Sequence, residues 1–212
     1  MRIAVFGGTG KIGRLVVEQL LAAGYELTVL ARNPGKLTIN DPKLTVRRGQ
    51  LFDVAAVRDV VGGSDAVISA LGPSLRIGTS GVPITEGTCA IVAAMRDSGV
   101  RRFIGLATPS VADPRDRPTF KAKLLSVMAG LMFPNALIEL GGMTAAVTGS
   151  DLDWTIVRIT NPTDRPAQGT LRVGFLGRDA VGWAMSRAGI AAFLVGQLSD
   201  TTYLKSLPVI SN

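Results

Sequence analysis

The chain has 212 residues, 47% of them apolar and 18% charged, which describes a folded domain rather than a disordered segment. It contains no histidine, which excludes histidine general bases, Ser-His triads and the common zinc sites. The net charge of +7 is dispersed, and its tightest pairs, Arg47-Arg48 and Arg101-Arg102, stand at expected strand ends, so anionic small ligands are expected and nucleic acid is not.

The apolar run Ile3-Ala4-Val5-Phe6 predicts a first strand over residues 2–6. No basic leader precedes it, and the apolar stretch 124–140 is broken by Pro134 and short for a bilayer, so a cytoplasmic protein away from membranes is expected. Helix 11–23 follows, with a stripe at Ile12, Leu15, Val16, Leu20 and Ala23 and Gly24 as its stop. Strands at 26–31, 44–48, 65–69 and 102–106 alternate with helices at 54–61 and 86–98. Asp53 is the expected N-cap of the second helix, and Gly99 the stop of the third. Cys89, the sole cysteine, is expected in the core without a redox role.

The second half is less regular. Two helices are expected at 119–133 and 135–149 around Pro134, with a surface loop at 115–118 before them. A strand is expected over 153–158, shorter ones at 171–173 and 181–185, a helix from Ser186 to Leu198, and a late edge strand over 205–210, where Pro208 is tolerable only at an edge. The Met-rich stretch from Leu124 to Phe133 reads as a core helix, a pocket wall for a flat substrate, or a dimer face.

Gly7-Gly8-Thr9-Gly10-Lys11-Ile12-Gly13 sits between the first strand and the first helix. In that position the Gly7-x-x-Gly10-x-x-Gly13 spacing permits a tight turn, close approach to a pyrophosphate, and helix-terminal amides facing its charge. Dinucleotide binding follows, on a Rossmann-type doubly wound α/β sheet with helices on both faces. One such domain is expected over 1–212, with a small C-terminal substrate-facing portion. After the second strand stands Arg32, where an NAD-preferring chain places an acid, so NADP (NADPH) is the expected cofactor, with Lys11 and Arg14 adding charge. Gln50 and Leu51 follow the third strand, where adenine is usually touched, and Leu71 and Gly72 end the fourth over the expected ribose path.

These segments, with Glu86-Gly87 before a helix and Asp153-Trp154-Thr155-Ile156-Val157-Arg158, resemble the atypical short-chain dehydrogenase/reductase proteins. Within these the chain is similar to the NAD(P)H-binding group that includes biliverdin reductase B (flavin reductase) and NmrA-like proteins. The resemblance covers nearly the whole chain and implies an oxidoreductase. It departs from short-chain dehydrogenases in one respect. Their usual Tyr-x-x-x-Lys pair is absent, since Val29 lies four residues after Tyr25 and Leu207 four after Tyr203. Gly141 to Ala146, where the catalytic helix should run, has no ionisable group. The resemblance implies that Thr108, or else Ser110, faces the substrate, and that Asn161 lies where the family closes over the nicotinamide. Thr108 and Ser110 also read as turn residues around Pro109.

Two functions follow. One is an NADPH-dependent reductase passing hydride to a small flat conjugated acceptor (flavin, quinone or enone). The other is an NmrA-like redox sensor that binds NADP without turnover and acts through a protein partner. An isomerase or epimerase is disfavoured, because those usually keep the tyrosine. A monomer or homodimer suits either reading.

Overall fold

A computed structural model of the chain describes residues 1–73, 81–117, 130–166 and 169–212. Its elements are β1 (Arg2–Phe6), α1 (Lys11–Ala22), β2 (Glu26–Ala31), β3 (Leu44–Arg48), α2 (Val54–Val61), β4 (Ala66–Ser69), α3 (Pro83–Asp97) and β5 (Arg102–Ala107). After these come α4 (Pro134–Thr148), β6 (Asp153–Ile159), β7 (Pro162–Thr163), β8 (Arg172–Gly174), β9 (Met185–Ser186), α5 (Arg187–Gly196) and β10 (Val209–Ser211).

Eight strands form one sheet in the order β3-β2-β1-β4-β5-β6-β10-β8. All pairs from β3 to β10 are parallel, and β8 runs antiparallel to β10. The first six positions follow the Rossmann order, with the chain reversing direction across the sheet between β1 and β4. Strands inside such a sheet are covered on both faces and read as continuous apolar runs. β4 (Ala-Val-Ile-Ser) accordingly has all four residues buried.

The core lies in two layers. On one face α1 and α5 pack Val16, Val17, Leu20, Ile190 and Leu194 against Ile3, Val5 and Val29. On the other, α2 and α3 bring Val57, Val60, Val61, Ile91 and Met95 against Ala4, Phe6 and Trp154. Burying one such side chain stabilises the fold by about 1.5–3 kcal/mol. Asp53 caps α2 by accepting from the Ala56 amide at 3.1 Å, and Ser186 caps α5 by accepting from the Gly189 amide at 3.1 Å. Gly24 and Gly99, past the ends of α1 and α3, take φ of +86° and +72°, which terminates both helices.

Several expectations need correction. Cys89 is exposed, because α3 buries the face carrying Gly87, Thr88, Ile91, Val92 and Met95, and residue 89 points the other way. The third helix starts at Pro83, earlier than residue 86, with proline in the first turn where its missing N–H costs nothing. The strand expected over 181–185 shrinks to Met185–Ser186, paired with β7 in a separate two-stranded sheet. The late strand is confined to Val209–Ser211 and is internal, between β6 and β8. Pro208 precedes it, and the Pro208 carbonyl still accepts from the Arg158 amide. Residues 118–129, most of the expected helix 119–133 and of the Met-rich stretch, lie outside the described residues.

Candidate functional site

A cleft of about 410 Å³ opens along the carboxyl ends of β1 to β4. That is where open α/β sheets bind ligands, at the point of strand-order reversal. Gly7 and Thr9 supply one wall, Arg32, Gln50 and Leu51 the end beyond β2 and β3, and Leu71 and Gly72 the exit of β4.

The glycine turn is shaped by close contacts. Gly7 has φ of +78°, and a Cβ there would come within 2.8 Å of the Ala70 carbonyl carbon and oxygen. A Cβ on Gly13 would run into the Gly7 carbonyl oxygen, so only glycine lets α1 start so close to the turn. The turn closes through the Gly10 amide donating to the Gly7 carbonyl at 3.0 Å. No side chain caps α1 and no acid occupies its first turn, which leaves the amides of Lys11, Ile12 and Gly13 to an incoming anion. These features fit a dinucleotide pyrophosphate. Lys11 is itself exposed and pairs at 3.5 Å with Asp164, which also binds Arg187 at the start of α5.

The far wall was not anticipated. Glu139, on α4, is 3% exposed and lines the cleft. Its carboxylate accepts from the amides of Ile84 (3.1 Å) and Thr85 (2.8 Å) and from the Thr85 hydroxyl (3.1 Å). It therefore caps α3 from a neighbouring helix, in place of Val82, which provides no side-chain cap. The stretch 141–146 does lack an ionisable group, but two residues before it on the same helix the fold buries this acid. Spacing alone gives no sign of it, because its partners are backbone amides 54 and 55 residues away.

Thr108 and Ser110 lie just beyond β5, half-buried, and do not line this cleft. Their hydroxyl oxygens stand 2.6 Å apart in a mutual hydrogen bond, and the Val111 amide donates to the Thr108 carbonyl at 3.0 Å, so they form a turn around Pro109. Asn161 also stays outside the cleft lining. It is exposed, with φ of +22°, and its carbonyl meets the Met185 amide at 3.5 Å beside the β7–β9 pair. Neither tyrosine lines the cleft. Tyr25 packs against the core and Tyr203 lies against Phe193, ring centroids 6.1 Å apart.

A second missed group holds the Thr108 segment in place. The fully buried Arg158 guanidinium, at the end of the Trp154 strand, donates to the Leu207 carbonyl (2.6 Å), the Val111 carbonyl (3.0 Å) and the Asp116 carboxylate (2.8 Å). Asp116 also accepts from the amides of Asp113 and Leu176, both at 2.9 Å. Asp113 in turn accepts from the Leu207 amide at 2.9 Å and pairs with Arg115, whose guanidinium stacks 4.3 Å above the Phe175 ring. The expected surface loop is thus exposed at Arg115 and Arg117 but anchored inside through Asp113 and Asp116.

Comparison with known proteins agrees with this geometry. Residues 7–201 match the NAD(P)H-binding family. By sequence the chain is similar to cinnamoyl-CoA reductase 1 of Oryza sativa subsp. japonica, 32% identical over 111 residues, 48% of this chain and 32% of that protein. The chain spans about a third of the length of the first curated relatives it matches. Among solved structures, a short-chain dehydrogenase/reductase of Veillonella parvula in complex with NADP superposes with TM-score 0.79 at 17% identity, covering 100% of this chain and 94% of that one. The anaerobillin reductase ChuY of Escherichia coli O157:H7 does so with TM-score 0.79 at 18% identity, covering 100% and 97%. Among the described residues, no helix is long and apolar enough to cross a membrane and no cluster of acids or cysteine is arranged to hold a metal.

Proposed function

Because the chain belongs to the NAD(P)H-binding family, we propose that it is an NADPH-dependent reductase acting on a small, flat, conjugated acceptor such as a flavin, quinone or enone. The observation that carries this is the cleft at the strand-order reversal, with the uncapped start of α1 on one side and Arg32 at its end. When bound, NADPH supplies a hydride from its nicotinamide ring, and the acceptor takes the matching proton from water.

The chain's own residues bind and position. Gly7, Gly10 and Gly13 bring the backbone against the pyrophosphate, and the amides of Lys11 to Gly13 meet its charge. Thr9 and Ile12 shape the same turn, and Arg32 clasps the 2′-phosphate. Gln50 and Leu51 border the adenine, and Leu71 and Gly72 the ribose. Thr108, backed by Ser110, donates a hydrogen bond to the acceptor carbonyl or the nicotinamide amide, and Asn161 closes over that end. Holding two reactants in register supplies the rate, with no tyrosine–lysine relay. The relatives named as reductases support this class of chemistry.

One observation favours a second reading, an NADP-dependent sensor that acts through a protein partner. The Thr108 and Ser110 hydroxyls bind each other, and among the described residues no ionisable group pairs with either. Anaerobic mixing with NADPH and a panel of flavins, quinones and enones separates the two. Loss of the reduced-nicotinamide absorbance with one of them is expected. An unchanged spectrum across the panel, with partner capture that depends on NADP redox state, would establish the sensor instead.

A further inference from the structure

We infer that Arg48 is the second cation of the 2′-phosphate site, so that this phosphate is gripped between two guanidiniums rather than by Arg32 alone; this rests on the reading of Arg32 given above. In the parallel pair β2–β3, Ala31 stands opposite Arg48. Arg32, the next residue of the β2 chain, and Arg48 therefore sit at neighbouring strand ends, in strands about 4.8 Å apart. Both line one groove of about 480 Å³ together with Gly49, Gln50, Phe52 and Asp53. The groove continues the cofactor cleft, since Arg32, Gly49, Gln50 and Phe52 line both.

The charges in the groove are arranged for an anion. Arg47, one residue earlier and on the opposite face of β3, is neutralised by Asp59 at 3.0 Å. Among the described residues, neither Arg32 nor Arg48 forms an ion pair, and both are exposed. The acid that lines the groove, Asp53, directs its Oδ1 to the Ala56 amide as the cap of α2. Two guanidiniums lining one groove, with no ion-pair partner among the described residues, repel each other, and a phosphate monoester, carrying about −1.5 to −2 at neutral pH, relieves that repulsion and offers oxygens to both forks. A ribose hydroxyl, uncharged, relieves none of it. Arg48 therefore raises selectivity for the phosphorylated cofactor without adding to the affinity for NADH.

Calorimetric titration of the full chain with NADPH, NADH, 2′,5′-ADP and 5′-AMP tests this. Arg48→Ala should weaken NADPH and 2′,5′-ADP by about tenfold or more and leave NADH and 5′-AMP within about twofold. Arg48→Lys should recover part of the loss, because it keeps the charge and loses the fork. If Arg32→Ala abolishes the preference for NADPH while Arg48→Ala leaves all four affinities unchanged, the Arg48 assignment is overturned and the Arg32 reading stands. If Arg48→Ala weakens all four ligands equally, Arg48 is a general electrostatic contributor and the assignment also fails. If the wild type binds 2′,5′-ADP no better than 5′-AMP, both readings fail together.

Discussion

Arg158 and Asp116 meet inside the protein, Nη2 to Oδ1 at 2.8 Å, with side chains 0% and 5% exposed. The pair joins the end of β6 to the segment that follows β5, so a charged arginine in a mostly buried strand becomes the anchor of the Thr108 turn. Such a pair is weak evidence of net stability when compared with an apolar replacement of both partners, but removing one partner strands the other charge. Asp116→Asn should therefore cost about 3–5 kcal/mol, read from the urea midpoint at constant slope. A change below ~1 kcal/mol would show that water reaches Arg158 and the anchor is not dry.

Acid should weaken the same region. Burial opposes ionisation of Asp116, but hydrogen bonds from Arg158 and from the Asp113 and Leu176 amides, with the Arg158 charge, outweigh it and hold its pKa below the ordinary value. Asp113 is likewise lowered against its burial by the Arg115 guanidinium and by the amides of Arg115 and Leu207. A carboxylate with a depressed folded pKa contributes stability that is present above its unfolded value, about 3.9, and is lost as pH falls through the folded one. Unfolding midpoints followed from pH 6 downward should fall below about pH 4, less steeply in Asp113→Asn than in the wild type. Parallel curves for the two would show that Asp113 carries no part of the dependence.

Arg32 makes a prediction about selectivity. If it clasps the 2′-phosphate, Arg32→Ala should lower NADPH affinity by about 10- to 150-fold, the value of a charge-assisted hydrogen-bonded contact, and leave NADH nearly untouched. Added salt should weaken NADPH more than NADH, since the contact is exposed. Equal loss of both cofactors in calorimetry would remove Arg32 from the specificity site.

Thr108 should matter modestly for turnover. A hydroxyl that only orients the acceptor is worth about 0.5–1.5 kcal/mol, so Thr108→Ala should lower kcat/KM by up to about tenfold with cofactor affinity intact. A drop of about four orders of magnitude would mean direct proton transfer, and no drop would mean that the turn is only structural.

The elements legible in the sequence were those governed by local pattern. The apolar runs of β1 to β3, the stripe of α1 and the Asp53 cap each depend on residues close together in the chain, and the structure reproduces them within a residue or so. The glycine turn was legible because a short spacing carries its steric demand. Glu139, Arg158 and Asp116 were not. Each is a charged residue whose burial is made tolerable mainly by partners 42 to 60 residues away, and composition alone would set such residues in water. Cys89 misled for the converse reason: its flanks are small or apolar, but the helix phase that decides its side is set by how α3 docks. The internal position of β10 likewise depended on β8 folding back antiparallel to cover it.

The reversal of strand order between β1 and β4 divides the sheet into two wings. Among the described residues, the groove beyond β2 and β3 is lined by residues between Arg32 and Asp53. The Thr108 turn and its anchors are drawn from residues 108 to 207, across the hinge line of the sheet. The wings are not independent, since Lys11 in the first pairs with Asp164 in the second at 3.5 Å and α1 packs Val16, Val17 and Leu20 with Ile190 and Leu194 of α5. A change of side chain on α5 is therefore felt at the helix that carries the glycine turn, so the two halves of the sheet are coupled through the layer that covers them.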